Sequence, residues 1–186
     1  MTEKEYERKA VIGREKYDML LSYFTGRYPR EDIFQINYYY DTPDFALYKS
    51  GETLRVRQIE NGLKLQYKHN KKYSGNMRVS DEYSEKIDEL PKTVTIRETE
   101  TKNIGFMATE RRNFDLGDCI VSLDKNYYLG IIDHEIEVES EKEHDLPDIL
   151  KDLAFALDSP GKYSRYVEKS LNRGIDCENM YEVREQ

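Results

Sequence analysis

The sequence contains few of the residues that mark disulfide-stapled, zinc-binding or membrane-spanning proteins. It has no tryptophan and only two cysteines, Cys119 and Cys177, which lie far apart and in no metal-binding spacing. A disulfide framework is therefore not indicated, and we expect both thiols to be unreactive in a reducing compartment. We find no apolar run of about 18 residues and no leader with an apolar core, so we expect a soluble, cytoplasmic protein without membrane association.

A basic net charge is also absent. The 29 lysines and arginines are outnumbered by 37 aspartates and glutamates, which gives a net charge of −8. This balance argues against a nonspecific nucleic-acid binder and against a binder of anionic membranes, although it permits a local basic cavity. The 16 tyrosines, six phenylalanines and periodic apolar residues indicate a folded chain, and 186 residues predict a single domain over 1–186.

The apolar and polar periodicities predict mostly β-structure with few helices. Asn61-Gly62 is a strong hairpin signal, and Ser159-Pro160-Gly161 separates two helical segments. Residues 45–49 fit a short helix or strand, and 85–103 fit a helix followed by a strand. We predict strands over 4–12, 33–41, 52–60, 63–70, 77–84, 105–115, 119–125 and 131–139, and helices over 14–24, 146–157 and 162–172.

About eight antiparallel strands are enough to close a barrel. Each predicted strand has an apolar face and a polar or charged face, and the helices need an apolar surface on which to pack. If the helices cover the outside, the charged faces point inward. We therefore predict an α+β, predominantly antiparallel fold: a closed eight-stranded barrel, or tunnel, with a charged lumen. Such a lumen is costly unless it is wet, paired or occupied by ions, which suggests a function.

Two Glu-x-Glu pairs provide candidate metal ligands. Glu5 and Glu7 share one strand face, and Glu135 and Glu137 share another. Two carboxylates on one strand face lie about 6–7 Å apart, so a single pair cannot hold a small cation alone. Two adjacent strands with such pairs could surround one or two ions, with Asp124 joining them. Ligation by oxygen alone suits Mg²⁺ or Mn²⁺ rather than zinc.

Basic residues on other strands provide a candidate phosphate clamp. Arg55, Arg57 and Lys68 share a face of the predicted hairpin, Arg78 follows on the next strand, and Arg111 or Arg112 lies on a later one. The planar fork of arginine matches phosphate oxygens, and facing metals could activate water for attack on a phosphoryl group. The sequence has no Gly-rich phosphate loop, Gly-x-Ser-x-Gly motif or Cys/His pair.

An ordered set of motifs over nearly the whole chain resembles the CYTH superfamily, the triphosphate tunnel metalloenzymes. The opening Glu5-Tyr6-Glu7-Arg8-Lys9 is similar to the N-terminal Glu-x-Glu-x-Lys signature of that family. The similarity continues through Tyr40-Asp41-Thr42-Pro43, Leu54-Arg55-Val56-Arg57, the Lys68 strand, Ser122-Leu123-Asp124, Glu135-Ile136-Glu137-Val138-Glu139 and Ser164-Arg165-Tyr166. The resemblance implies an eight-stranded tunnel that binds a triphosphate and a divalent metal.

The resemblance also implies roles for individual residues. Arg165 stands where a lysine is more usual, on the helix that closes the tunnel, and Glu82 is implied as a water-positioning acid beside Arg78. We expect Glu139 not to be a ligand and Lys162 to be exposed. The implied metal ligands are Glu5, Glu7, Asp124, Glu135 and Glu137, with Glu5, Glu7, Asp124 and Glu82 as the catalytic acids. The implied triphosphate ligands are Lys9, Arg55, Arg57, Lys68, Arg78, Arg111 and Arg165.

The expected activity is metal-dependent hydrolysis of the terminal phosphate of a triphosphate, with inorganic tripolyphosphate preferred because it needs only the clamp and the metals. A class IV-type adenylyl cyclase is the nearest alternative, but nothing in the sequence marks an adenine pocket. Thiamine triphosphate is a third candidate substrate. A noncatalytic polyphosphate- or nucleotide-binding module could dispense with the acid pairs, whose presence favours catalysis. A homodimer is compatible with the sequence.

Overall fold

A computed structural model of the protein describes residues 2–74, 77–141, 146–151 and 159–172, without the side chains of 2–5, 70, 71, 73, 74 and 77. The β-strands are β1 (Thr2–Ile12), β2 (Arg30–Asp41), β3 (Thr53–Ile59), β4 (Gly62–Ser74), β5 (Met77–Ile87), β6 (Thr93–Ile96), β7 (Thr99–Asp115), β8 (Ile120–Tyr128) and β9 (Ile131–Ser140). The helices are α1 (Arg14–Phe24), α2 (Ala46–Lys49), a 3₁₀ turn (Asp148–Leu150) and α3 (Lys162–Asn172). No helix among these residues is long and apolar enough to cross a membrane.

Eight of the strands close into an antiparallel barrel. Their order is β2-β3-β4-β5-β1-β9-β8-β7, and pairing between β7 and β2 completes the ring. The short β6 adds to β7 outside this ring. The predicted eight-stranded barrel is confirmed, and β6 is a ninth strand within 85–103, the segment that the sequence pattern predicted as a helix followed by a strand.

The strand registers place charged positions of neighbouring strands opposite one another. Lys9 on β1 lies opposite Glu137 on β9, and Arg111 on β7 lies opposite Asp124 on β8. Asp124 in turn lies opposite Glu135 on β9. Because side chains alternate between the two faces of a strand, these residues share the inner face of the barrel.

The main apolar core lies outside the barrel, under α1. Leu20 and Phe24 of α1 are fully buried and belong to one cluster with Leu123 and Ile136 of the sheet. A second outer cluster joins Leu47 of α2 to the outer faces of β3 and β4. Helices α1 and α2 therefore pack on the apolar outer faces of the strands. The charged faces point into the barrel, as the sequence predicted.

Helix α3 packs through tyrosines onto β2 and β7. Tyr163 and Tyr166 are buried with Tyr39 and Met107 in a third cluster. The Tyr166 hydroxyl donates a hydrogen bond to the backbone carbonyl of Ile104 at 3.0 Å. This anchoring fixes the first turn of α3, including Lys162, against the interior of the barrel.

Several predicted boundaries agree with the structure, and two segments differ. Helices α1 and α3 have the predicted bounds, and residues 46–49 form the short helix α2. The segment 85–103 contains no helix: β5 continues to Ile87, and β6 follows Pro91. Four consecutive β-branched residues at 93–96 favour a strand there, and Pro91 opposes a helix. Of the predicted helix at 146–157, the structure has the 3₁₀ turn, while 152–158 lie outside the described residues, as does Cys177.

Candidate active site

The barrel encloses a cavity lined by charged side chains of both signs. Its volume is about 100 Å³, enough for several water molecules, since one needs roughly 10–15 Å³. Residues from β1, β2, β3, β4, β5, β7, β9 and α3 contribute to its lining. The predicted charged lumen is therefore present, and most of the predicted ligands meet in it.

The basic residues predicted on the strands all line this cavity: Lys9, Arg55, Arg57, Lys68, Arg78 and Arg111. Arg55 donates to Gln66 Oε1 at 3.0 Å, and Arg57 donates to Asn37 Oδ1 at 3.1 Å. Neither guanidinium is within ion-pairing distance of any carboxylate whose position the structure describes. Burial and the neighbouring charges of Arg55 and Arg111 lower the pKa of Arg57 to about 9. This part of the wall has excess positive charge, which an anion would relieve.

Lys162, in the first turn of α3, lies between the acids of β8 and β9. Its Nζ is 2.7 Å from Asp124 Oδ2, 2.8 Å from Glu137 Oε1 and 3.3 Å from Glu135 Oε1. The side chain is only 7% exposed, so the expectation that Lys162 is exposed was wrong. Burial opposes its charge, but these three carboxylates raise its pKa above the usual value. The sequence signal was weak because the position follows a Pro-Gly turn rather than a strand.

The register between Arg111 and Arg112 is resolved by the structure. Arg111 is buried and donates two hydrogen bonds to Asp124, of 2.8 and 2.7 Å. It also forms an ion pair with Glu137. Arg112 lies on the opposite face, where it donates to the Tyr17 hydroxyl at 2.7 Å. Arg111 is therefore the arginine that faces the lumen.

Glu82 and Glu7 lie in the cavity beside basic residues. Lys68 Nζ is 3.2 Å from Glu82 Oε2. Burial opposes the ionisation of Glu82, but the charges of Lys68 and Arg55 lower its pKa below the usual value. Glu7 is 2.8 Å from Lys9 Nζ and 3.7 Å from Arg78 Nη1. Both acids are thus ionised and paired.

Two further acids need separate mention. Glu139, which we did not expect among the ligands, lines the cavity 3.7 Å from Arg111 Nη1. The side chain of Glu5 lies outside the described residues, while its backbone pairs with Ser80 of β5.

Arg165 does not line the cavity, which departs from the role of phosphate ligand that the resemblance implied. Its guanidinium pairs with Asp133 at 2.9 Å and with Glu135, and donates to the Pro160 carbonyl at 2.8 Å. Because Asp133 and Glu135 at the start of β9 form ion pairs with this guanidinium, Arg165 connects α3 to the barrel wall. Lys162, one turn earlier, is the cation that reaches the lumen.

The predicted metal ligands form an all-oxygen donor set, with the protein's own cations lying among them. Lys162 contacts Asp124, Glu135 and Glu137, and Arg111 contacts Asp124 and Glu137. As the described residues are placed, these carboxylates therefore surround basic side chains and are not arranged as a set of metal ligands. Glu135 Oε1 is buried and accepts no hydrogen bond from a described residue. Burial raises the pKa of Glu135, whereas Lys162 and Arg111, against the effect of burial, lower the pKa of Asp124 and Glu137. These oxygens fit a hard divalent cation chemically.

The closed antiparallel barrel and its charged lumen define a protein of the triphosphate tunnel class. A sequence model of the CYTH domain matches residues 3–169, so the chain belongs to the CYTH domain family. A comparison with curated proteins found no match.

Solved structures share this fold. A candidate adenylate cyclase from Bacillus halodurans is 25% identical, with a TM-score of 0.68 over 89% of this chain and 98% of that chain. HpAC1 from Hippeastrum is 19% identical, with a TM-score of 0.67 over 89% and 96% of the two chains. PH1819 from Pyrococcus horikoshii is 20% identical, with a TM-score of 0.61 over 89% and 99%.

Proposed function

We propose that the protein is a divalent-metal-dependent triphosphatase that hydrolyses the terminal phosphate of inorganic tripolyphosphate or a related triphosphate. The observation that carries the proposal is the cavity wall of Arg55 and Arg57, two guanidinium groups without a described carboxylate partner, facing a cavity that also contains paired acids. A phosphate chain supplies several negative oxygens in a row, which matches a row of guanidinium forks.

The basic wall orients the phosphate chain. Arg55 and Arg57 bind phosphate oxygens directly, because no described acid competes for them. Lys68, Arg78 and Lys9 add charge around the same volume. Holding the chain in one orientation fixes the terminal phosphorus for in-line attack by water, and the cationic groups stabilise the charge that develops on its oxygens.

The acids of β1, β8 and β9 would hold the metal. Glu7, Asp124, Glu135 and Glu137 would bind Mg²⁺ or Mn²⁺, with Glu5 as a further ligand from the same strand as Glu7. A bound cation supplies Lewis-acid polarisation and charge neutralisation. With the carboxylates holding a metal, Lys162 and Arg111, which contact them in the ligand-free protein, would be able to contact the phosphate chain instead. Glu82, ionised and facing the cavity, orients the attacking water.

Two activities are stated for the fold relatives, and they give the reactions to be distinguished. HpAC1 is described as having a dominant triphosphatase activity, and the Bacillus halodurans protein as a candidate adenylate cyclase. Hydrolysis requires only the phosphate clamp and the acids, most of which face the cavity. Cyclisation would also require a site for adenine.

The test is phosphate release from tripolyphosphate, ATP and thiamine triphosphate, each with Mg²⁺, Mn²⁺ or EDTA. We expect metal-dependent release that is strongest with tripolyphosphate. Formation of cyclic AMP and pyrophosphate from ATP would show that the protein is a cyclase and not a hydrolase. The assignment of the tunnel fold would remain unchanged. Binding of all three compounds without any product would instead indicate a noncatalytic binding module.

A further inference from the structure

Three alternate positions on the inward side of β2 carry neutral polar residues. Gln35, Asn37 and Tyr39 alternate along the strand and are 2%, 0% and 0% exposed. Gln35 Nε2, Asn37 Nδ2 and the Tyr39 hydroxyl each lack a hydrogen-bond partner among the described residues. Buried polar atoms are nearly always hydrogen-bonded, so three such atoms on one strand face call for an explanation.

Tyr39 is the residue of this stripe that lines the cavity. Its ring packs against Tyr163 at 4.9 Å and Tyr166 at 5.6 Å between centroids, which fixes the direction of the hydroxyl. Gln35 and Asn37 are not part of the lining. Asn37 Oδ1 instead accepts the hydrogen bond from Arg57, so it supports the basic wall.

The surroundings of the Tyr39 hydroxyl identify the kind of ligand it would bind. Arg55 lies directly opposite Tyr39 on β3, and Lys162 lines the same cavity. Burial raises the pKa of Tyr39 above its usual value, so the group is a neutral phenol with a proton to donate. A donor among cationic side chains, which have no acceptor to offer, is matched by an anionic oxygen.

We propose that the Tyr39 hydroxyl donates a hydrogen bond to a phosphate oxygen of the bound triphosphate, which makes Tyr39 a substrate-binding residue. This inference rests on the proposed function, since it requires a triphosphate in the cavity. It has a distinctive consequence. The unpartnered hydroxyl costs stability in the ligand-free protein and contributes affinity in the complex, so its removal should move the two quantities in opposite directions.

The test is Tyr39→Phe, which removes the oxygen and keeps the ring that packs on α3. Tyr40→Phe is the matched control: Tyr40 is equally buried on the same strand but on the outer face, and its hydroxyl donates to the Pro91 carbonyl at 2.6 Å. Calorimetry with Mg²⁺ would use a tripolyphosphate analogue with methylene groups in place of the bridging oxygens. Thermal unfolding would use the ligand-free proteins.

We expect Tyr39→Phe to weaken binding of the analogue by about 10- to 100-fold, the range for a hydrogen bond to a charged group, while its Tm is unchanged or higher. Tyr40→Phe should lower the Tm and leave affinity unchanged. Tight binding by the wild type with equal affinity for Tyr39→Phe would overturn the assignment of Tyr39 alone. A Tyr39→Phe protein with a lower Tm and a parallel loss of affinity would indicate a structural role and would also overturn it. A wild type that binds no triphosphate would overturn the proposed function as well.

Discussion

Lys162 Nζ lies 2.7 Å from Asp124 Oδ2, and both side chains are buried inside the barrel. The pair connects the first turn of α3 to the middle of β8. The same ammonium contacts Glu137 and Glu135, so carboxylates of two strands share one cation. In the ligand-free protein, Lys162 therefore compensates part of the negative charge of this buried acid cluster, at the position that we propose for the divalent cation.

Replacing Lys162 with Met should destabilise the ligand-free protein by about 3–5 kcal/mol, because removal of one member of a buried ion pair leaves uncompensated charge. Urea unfolding in EDTA measures the loss, and added Mg²⁺ should recover part of it. Lys169→Met on the same helix, at a partly exposed position, is the control. Equal stability of the two variants would contradict the role given to Lys162.

Arg111→Lys should lower kcat/KM for tripolyphosphate by roughly 100-fold, comparable to the loss of one preorganised donor at a reaction centre. A lysine cannot reproduce the two parallel hydrogen bonds of the guanidinium, which contact Asp124 in the ligand-free protein and are proposed to bind phosphate oxygens in the complex. Arg112→Lys changes the neighbouring residue on the outer face and should leave the rate nearly unchanged. Steady-state kinetics on both variants tests the register, and a larger effect at Arg112 would show that the assignment is reversed.

The double variant Glu5→Gln and Glu7→Gln should bind the phosphate chain but turn it over poorly. The substitutions remove the charges needed to hold the metal while retaining the size of the side chains and the basic wall. Phosphate release and binding of the methylene-bridged analogue separate the two effects. Persistent turnover would show that the metal assignment on β1 is wrong.

Glu7 should make the ligand-free protein sensitive to acid. Burial opposes ionisation, but Lys9 and Lys68 lower the pKa of Glu7 from 4.5 to about 2. A group whose pKa is depressed on folding stabilises the protein above its unfolded pKa, and this stability is lost as the pH falls through the folded value. The contribution is about 3 kcal/mol. In EDTA, the stability difference between wild type and Glu7→Gln should therefore shrink between pH 4.5 and about 2; a constant difference would contradict the assignment.

Gly105→Ala should displace α3. Gly105 has φ +147°, and a Cβ there would overlap the Tyr166 hydroxyl, the group that anchors the helix. Gly117 also has a positive φ, +89°, but a Cβ at that position would have nothing within 4 Å, so Gly117→Ala isolates the backbone cost of about 1 kcal/mol. Thermal unfolding should show a clearly larger loss for Gly105→Ala, together with reduced phosphate release, since Lys162 is on the displaced helix. Similar losses for both variants would argue against the clash.

Local patterns were sufficient for much of the fold. The apolar periodicity of residues 14–24 predicted α1 with the bounds that the structure has, and Asn61-Gly62 predicted the β3–β4 hairpin. Alternation along the strands also predicted which faces carry charge. These features depend on neighbouring residues in the chain, so they can be recognised without knowledge of distant contacts.

The candidate site was predictable residue by residue only where strand alternation applied. It selected Arg55 and Arg57, which line the cavity, but left Arg111 and Arg112 unresolved because either could face inward. Strand alternation could not predict that Lys162 lies in the site, because Lys162 belongs to a helix and its contacts arise from the packing of α3.

The sequence by itself determined the strands, their two-faced character and the membership of a family, since these follow from local periodicity and from ordered motifs. Only the tertiary structure decided that Lys162 rather than Arg165 reaches the lumen, and that Tyr39 lines it with a hydroxyl that has no partner among the residues described. The physical reason is that both outcomes depend on how α3 docks against β2, β7 and β9. That docking is set by packing between residues far apart in the chain, which no local pattern contains.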